Sequence, residues 1–164
     1  MEEKLSISDM LARMKKEWPE IATDGTGAVL GLIRLNDILM DSSNKVLTQF
    51  GLTQAAFEVL TTLRSYPKPR RLTPTELYKS ILITSGGMTK VLNQLESDGL
   101  IERLENAADK RSQFVNLTPS GEKMAERSMK AIMENDQKIL GTSLSKSEIK
   151  TLKSLLLQVL NGLE

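Results

Sequence analysis

The chain has 164 residues, 40% hydrophobic and 26% charged, enough to bury one ordinary globular core and too apolar to stay disordered. Neither cysteine nor histidine occurs, which excludes disulfides, thiol redox chemistry, thiolate or imidazole zinc sites and a histidine general base. The net charge of +1 hides an uneven distribution: residues 1–63 carry six basic against nine acidic side chains, residues 64–111 nine against six, and residues 112–164 seven against six.

The positive excess therefore falls on the middle of the chain, where it supports nucleic-acid contact without establishing it. The start, MEEKLSISDMLARMKKEW, lacks the long apolar core of a secretion signal, and no later apolar run is long enough to span a bilayer, so a cytoplasmic location is expected. In chain order the pattern predicts helices with short joints. Ser8 is placed to cap a first short helix whose Met10, Leu11, Met14 and Trp18 share one face, and Trp18-Pro19 ends it. A loop containing Gly25 and Gly27 follows. From Ala28 to about Leu47, Val29, Leu32, Ile33, Leu35, Leu39 and Met40 make most of the circumference apolar, which puts this helix deep inside the molecule or in an interface. Gly51 marks its end. Thr53 caps the next helix, which buries Phe57, Leu60 and Leu63 and closes at Tyr66-Pro67-Lys68-Pro69.

The stretch from Arg71 to Pro119 is the most informative. In RLTPTELYKSIL, Thr73 at the N-cap, Pro74 at the first helical position and Glu76 at the third form a capping box. A second helix, TSGGMTKVLNQLE, is capped by Thr84, buries Met88, Leu92 and Leu95, and stops at Asp98-Gly99. Its other face carries Ser85, Gly86, Thr89, Lys90 and Asn93. Small residues at its entrance let a backbone approach a nucleic acid, while Ser, Thr, Lys and Asn supply donors for phosphates and base edges. Two short alternations, IERL and QFVNL, then read as strands with Ile101, Val115 and Leu117 inward, around an exposed tip from Asn106 to Arg111 that includes Lys110. A helix-turn-helix followed by a two-stranded wing is the economical reading, and it points to duplex DNA.

Thr118-Pro119 starts a long helix that runs past Ile132 to about Leu140, and Ser145 with Glu148 forms a second capping box. The last helix sets Ile149, Leu152, Leu156, Val159 and Leu163 at steps of three and four, the spacing of a helix-packing seam. Such a stripe serves either the chain's own core or a dimerisation layer built with the apolar helix near residues 28–47. Ser120-Gly121-Glu122-Lys123 matches the Ser-x-x-Lys of some acyl enzymes, but neither of its usual partner motifs accompanies it, and the match reads as chance. No catalytic, cofactor or metal-ligand set emerges.

The run TSGGMTKVLNQLESDGLIERLENAADKRSQFVNLTPSGEK resembles the winged helix-turn-helix core of the MarR family of bacterial transcriptional regulators, including Asp109-x-Arg111 in the wing and the Leu117-Thr118-Pro119-x-Gly121 after it. The resemblance implies a mainly α (α+β) fold, one domain over 1–164, with a winged helix-turn-helix at 51–117 and dimerisation helices at 1–50 and 118–164. It implies a homodimer acting on double-stranded DNA, most often as a ligand-responsive repressor, with the helix from Thr84 in the major groove, Arg111 in the minor groove and Asp109 orienting it. The extra N-terminal helix ending in Lys16-Glu17-Trp18 is similar to the urate-responsive branch, whose ligand site uses a tryptophan, an aspartate and an arginine. At those positions stand Trp18, Glu58 and Val91. Losing the cation removes the natural partner of an anionic purine and leaves open a different small aromatic or anionic effector, or none. Two rival readings are a winged-helix protein-interaction module without DNA binding, and an enzyme, which the missing histidine and cysteine disfavour.

Overall fold

In the computed structural model, which describes residues 5–81, 87–105 and 113–163, six of the seven α-helices start on a serine or threonine whose hydroxyl accepts a first-turn amide. These caps satisfy donors that the helix cannot. The chain falls into two units that meet between Ser42 and Ser43.

The first unit holds α1 (Ile7–Glu17), a 3-10 turn (Pro19–Ile21) and most of α2 (Asp24–Thr48). The cap of α1 is Ser6, not the expected Ser8: its hydroxyl accepts from the Asp9 amide at 3.0 Å and donates to the Asp9 carboxylate at 2.6 Å. The loop expected around Gly25 and Gly27 is also corrected. Thr23 accepts from the Thr26 amide at 3.1 Å, and the helix begins there with both glycines inside it. Nor does α2 lie deep within the chain, because Val29, Leu32, Ile33 and Ile38 are exposed. Only Ser43 and Leu47, near its end in the second unit, are buried.

The second unit continues with α3 (Gln54–Ser65), β1 (Arg71–Leu72), α4 (Pro74–Ser80), α5 (Met88–Ser97), β2 (Ile101–Glu105), β3 (Gln113–Leu117), α6 (Pro119–Gly141) and α7 (Lys146–Asn161). The expected pair of strands is a sheet of three, ordered β1-β3-β2 and antiparallel throughout, with Leu72 opposite Val115 and Arg103 opposite Val115 on the other side. Its inner face delivers Ile101, Val115 and Leu117 to a core shared with Leu47, Leu60, Leu63, Leu77 and Leu95. By contrast, no residue of α7 is buried. Its leucine stripe therefore does not serve the core of its own unit. No described helix is long and apolar enough to cross a membrane.

One junction fixes how α6 starts within this unit. After α5, Gly99 adopts a φ of +68°, which turns the chain so that the Leu100 amide donates to the Leu95 carbonyl at 2.9 Å. The Leu100 carbonyl then accepts from the Thr118 amide at 3.2 Å, while the Thr118 hydroxyl donates to the Gly99 carbonyl at 2.8 Å. The same hydroxyl caps α6 by accepting from the Gly121 amide at 3.0 Å. A Cβ on Gly121 would stand 1.9 Å from the Leu100 oxygen. The Ser-x-x-Lys match lies in the first turn of α6, where this requirement accounts for its glycine. Gly121→Ala should destabilise the fold by about 2–3 kcal/mol through overpacking against backbone. Gly141→Ala, with open space around it, should be neutral or stabilising by about 0.5–1 kcal/mol. Urea unfolding of both variants checks the contrast.

Candidate nucleic-acid interface

The capping box foreseen at Thr73 is present and sets the start of α4. The Thr73 amide donates to Glu76 at 2.8 Å, and the Glu76 amide donates to the Thr73 hydroxyl at 3.3 Å. The backbone bond first, and the hydroxyl bond second, hold the Glu76 carboxyl below its ordinary value. Leu77 roots α4 in the core, while Tyr78 stays exposed.

Helix α5 follows, but its described N-cap is Gly87, at a φ of +110°, rather than Thr84. Leu92 and Leu95 are buried and Met88 and Val91 pack partly against the same core. Helical periodicity then turns Thr89, Lys90 and Asn93 outward, and all three are exposed. Thr84, Ser85 and Gly86, and the wing residues Asp109, Lys110 and Arg111, lie outside the described residues. Between α4, α5 and the strands runs an open groove of about 830 Å³, with Thr75, Tyr78, Thr89, Arg103 and Gln113 among its walls.

Arg103 is the participant that sequence reading missed. It occupies an inward position of β2, between Ile101 and Glu105 and opposite Val115. From there its guanidinium donates to the Asn93 side-chain oxygen at 2.6 Å and pairs with Glu96 at 3.4 Å. The strand is thereby tied to two successive turns of α5. A charged residue at the inward phase of an alternating strand was the signal for it, because such a residue needs a partner. On the opposite face of the sheet, Arg71 stacks on Phe114 with 4.7 Å to the ring centre, and Asn116 donates to Glu102 at 2.6 Å.

A second group of ions fastens α6 to α3 and to the turn before β1. Arg64 of α3 donates to Glu126 at 2.6 Å and lies 3.5 Å from Glu122, which also pairs with Arg70. The residues assigned to effector binding are divided between the units. Trp18 caps the end of α1 and is 60% exposed, whereas Glu58 on α3 accepts from Gln54 at 3.3 Å, and Val91 lies on α5.

The Arg103 link should be measurable without any ligand. A double-mutant cycle with Arg103→Ala and Asn93→Ala on unfolding free energy should give a coupling of about 0.5–1.5 kcal/mol. Strict additivity would show that the hydrogen bond contributes nothing to the fold.

Residues 50–112 match the model of the MarR family. The chain is 33% identical over 117 residues to the multiple antibiotic resistance protein MarR of Escherichia coli, covering 71% of this chain and 79% of that one. It is 26% identical over 152 residues to the HTH-type transcriptional regulator PecS of Dickeya dadantii, covering 93% of this chain and 91% of the relative. Among solved structures it is similar to a MarR family regulator from Streptomyces coelicolor in complex with DNA, with a TM-score of 0.72, 26% identity, and coverage of 87% of this chain and 90% of that one. The chain belongs to the MarR family of transcriptional regulators, proteins that control transcription and are not enzymes.

Proposed function

We propose that the chain is a sequence-specific, ligand-responsive DNA-binding repressor that grips a pseudo-palindromic operator as a homodimer. The observation that carries this reading is the outward face of α5, where Thr89, Lys90 and Asn93 stand exposed while Leu92 and Leu95 anchor the helix. A helix so anchored presents donors to a major groove. The DNA bound in the similar Streptomyces coelicolor structure supports the same assignment. In this reading residues 51–117 form the reading head. Thr84, Ser85, Gly86, Thr89, Lys90 and Asn93 meet the major groove, and Lys110 and Arg111 meet the backbone and minor groove, with Asp109 orienting Arg111.

Fluorescence anisotropy on the chain's own upstream DNA, titrated with salt, tests this directly. Arg111→Ala should weaken binding by about 1–3 kcal/mol, Asp109→Ala by less, and Lys90→Ala should reduce the salt slope by about one if it meets a phosphate. Unchanged binding by Arg111→Ala would contradict the wing assignment. A protein-interaction module would bind no duplex at any salt concentration.

Dimerisation through residues 1–50 and 118–164 is supported by apolar surface that its own unit does not cover. In α7, Leu155, Leu157, Val159 and Leu160 are exposed, Val159 at 62%, and in α2 so are Val29, Leu32 and Ile33. Several large apolar side chains left exposed on one helix, as on each of these two, are what an interaction site on a soluble protein presents. Light scattering at micromolar concentration should return a dimer for the intact chain, and removing residues 145–164 should abolish both dimer and operator binding. A monomeric intact chain would contradict it.

The effector proposal rests on the sequence pattern of Trp18, Glu58 and Val91. Without an arginine at Val91 the unmodified chain should bind urate weakly or not at all, and Val91→Arg should raise the affinity by supplying a charge-assisted hydrogen bond. Isothermal titration of both forms decides it, since tight urate binding by the unmodified chain would show that the missing cation is not a deficit. Any such ligand acts as a switch only by binding the DNA-free arrangement better than the DNA-bound one.

A further inference from the structure

We propose that Arg103 is a positioning residue for base readout: it fixes the side-chain amide of Asn93 so that the NH2 group faces outward, making Asn93 a reader of acceptor atoms and of guanine above all. This rests on the DNA-binding reading above and adds the chemistry of one contact to it.

An asparagine free to turn presents either end of its amide. Its familiar pairing with adenine uses both ends together, the oxygen accepting from N6 and the NH2 donating to N7. In this chain the oxygen is engaged by the Arg103 guanidinium at 2.6 Å, a charge-assisted bond and so stronger than a neutral one. Arg103 is itself held by Glu96 at 3.4 Å, and its side chain is three-quarters buried, with 26% exposed. The clamp is thus anchored in β2 and in the next turn of α5, and turning the amide over would set two donors against each other. The group left for a ligand is the NH2. In the major groove guanine offers two acceptors, O6 and N7, and thymine offers O4, while cytosine offers only the N4 donor. Adenine presents its N7 beside a donor that the engaged oxygen no longer meets side by side. The order expected at the contacted base is guanine, then thymine, with cytosine rejected.

The test is a base-preference profile of the intact chain on its operator, with all four bases placed in turn at each symmetric position. Asn93→Ala identifies the contacted position by flattening the profile there. At that position the wild type should prefer guanine to cytosine by about tenfold or more. Arg103→Met should flatten that preference and raise adenine relative to guanine, because the amide can then turn, while affinity for non-specific duplex is retained. Arg103→Lys, which still donates to the amide oxygen, should keep the wild-type order. Asn93→Asp, which offers only acceptors, should move the preference to cytosine. A profile unmoved by Arg103→Met, or a wild type that prefers adenine at that position, would overturn this inference alone. A wild type that binds no duplex would overturn the DNA-binding reading as well.

Discussion

Helix α6 can lie where it does only because residue 121 has no side chain. The Leu100 carbonyl occupies the space a Cβ would take, 1.9 Å from it, and the Thr118 hydroxyl bonds to the same turn at Gly99 while capping the helix. The next turn is held by Glu122 and Glu126, which pair with Arg64, and by the bond between Glu122 and Arg70. Since Leu100 also closes the end of α5 through Leu95, α5 and the long helix α6 share one anchor. The more exposed Arg64 pairs are individually weak, and the close backbone approach gives the joint its definition.

That joint bears on how a regulator of this kind would be switched. If α5 and the start of α6 move as one body, the proposed effector would not need to reshape α5. It would need only to favour a different placement of the two winged helix-turn-helix segments within the proposed dimer. The polar ties around α5 have a similar logic at smaller scale. Arg103 joins strand to helix across a partly exposed seam through its bond to Asn93 and its pair with Glu96, where its contribution to stability is modest. The outer face of the sheet repeats the device with Arg71 on Phe114 and Asn116 on Glu102.

Much of this was legible because it is local. The capping boxes at Thr73 and Ser145, the cap at Thr53 and the stop at Gly99 each depend on residues within a turn of one another, and all four stand as the sequence suggests. Where two local solutions compete, sequence reading chose wrongly. Ser8 was expected as a cap, but the helix starts earlier, on Ser6 and its bonds to Asp9. Gly25 and Gly27 signal a loop by propensity, yet Thr23 caps a helix ahead of them. Strand β1 spans two residues, too few for any period to appear, and exists because Arg71 and Leu72 meet Asn116 and Val115. The α7 stripe was correctly spaced, but spacing does not say what covers it, and in this unit nothing buries it. Of the proposed DNA contacts, Thr89, Lys90 and Asn93 are exposed on one helix; the charge at the inward position of Arg103 marked a residue in need of a partner, but a partner 10 residues away on another element leaves no mark of its own.

Hydroxyl-radical footprinting of the intact chain on its own upstream DNA tests the central claim most directly. The account predicts two protected patches related by a dyad, with centres about one helical turn, on the order of 10 base pairs, apart. Protection that is absent, or confined to a single unpaired patch, would contradict it.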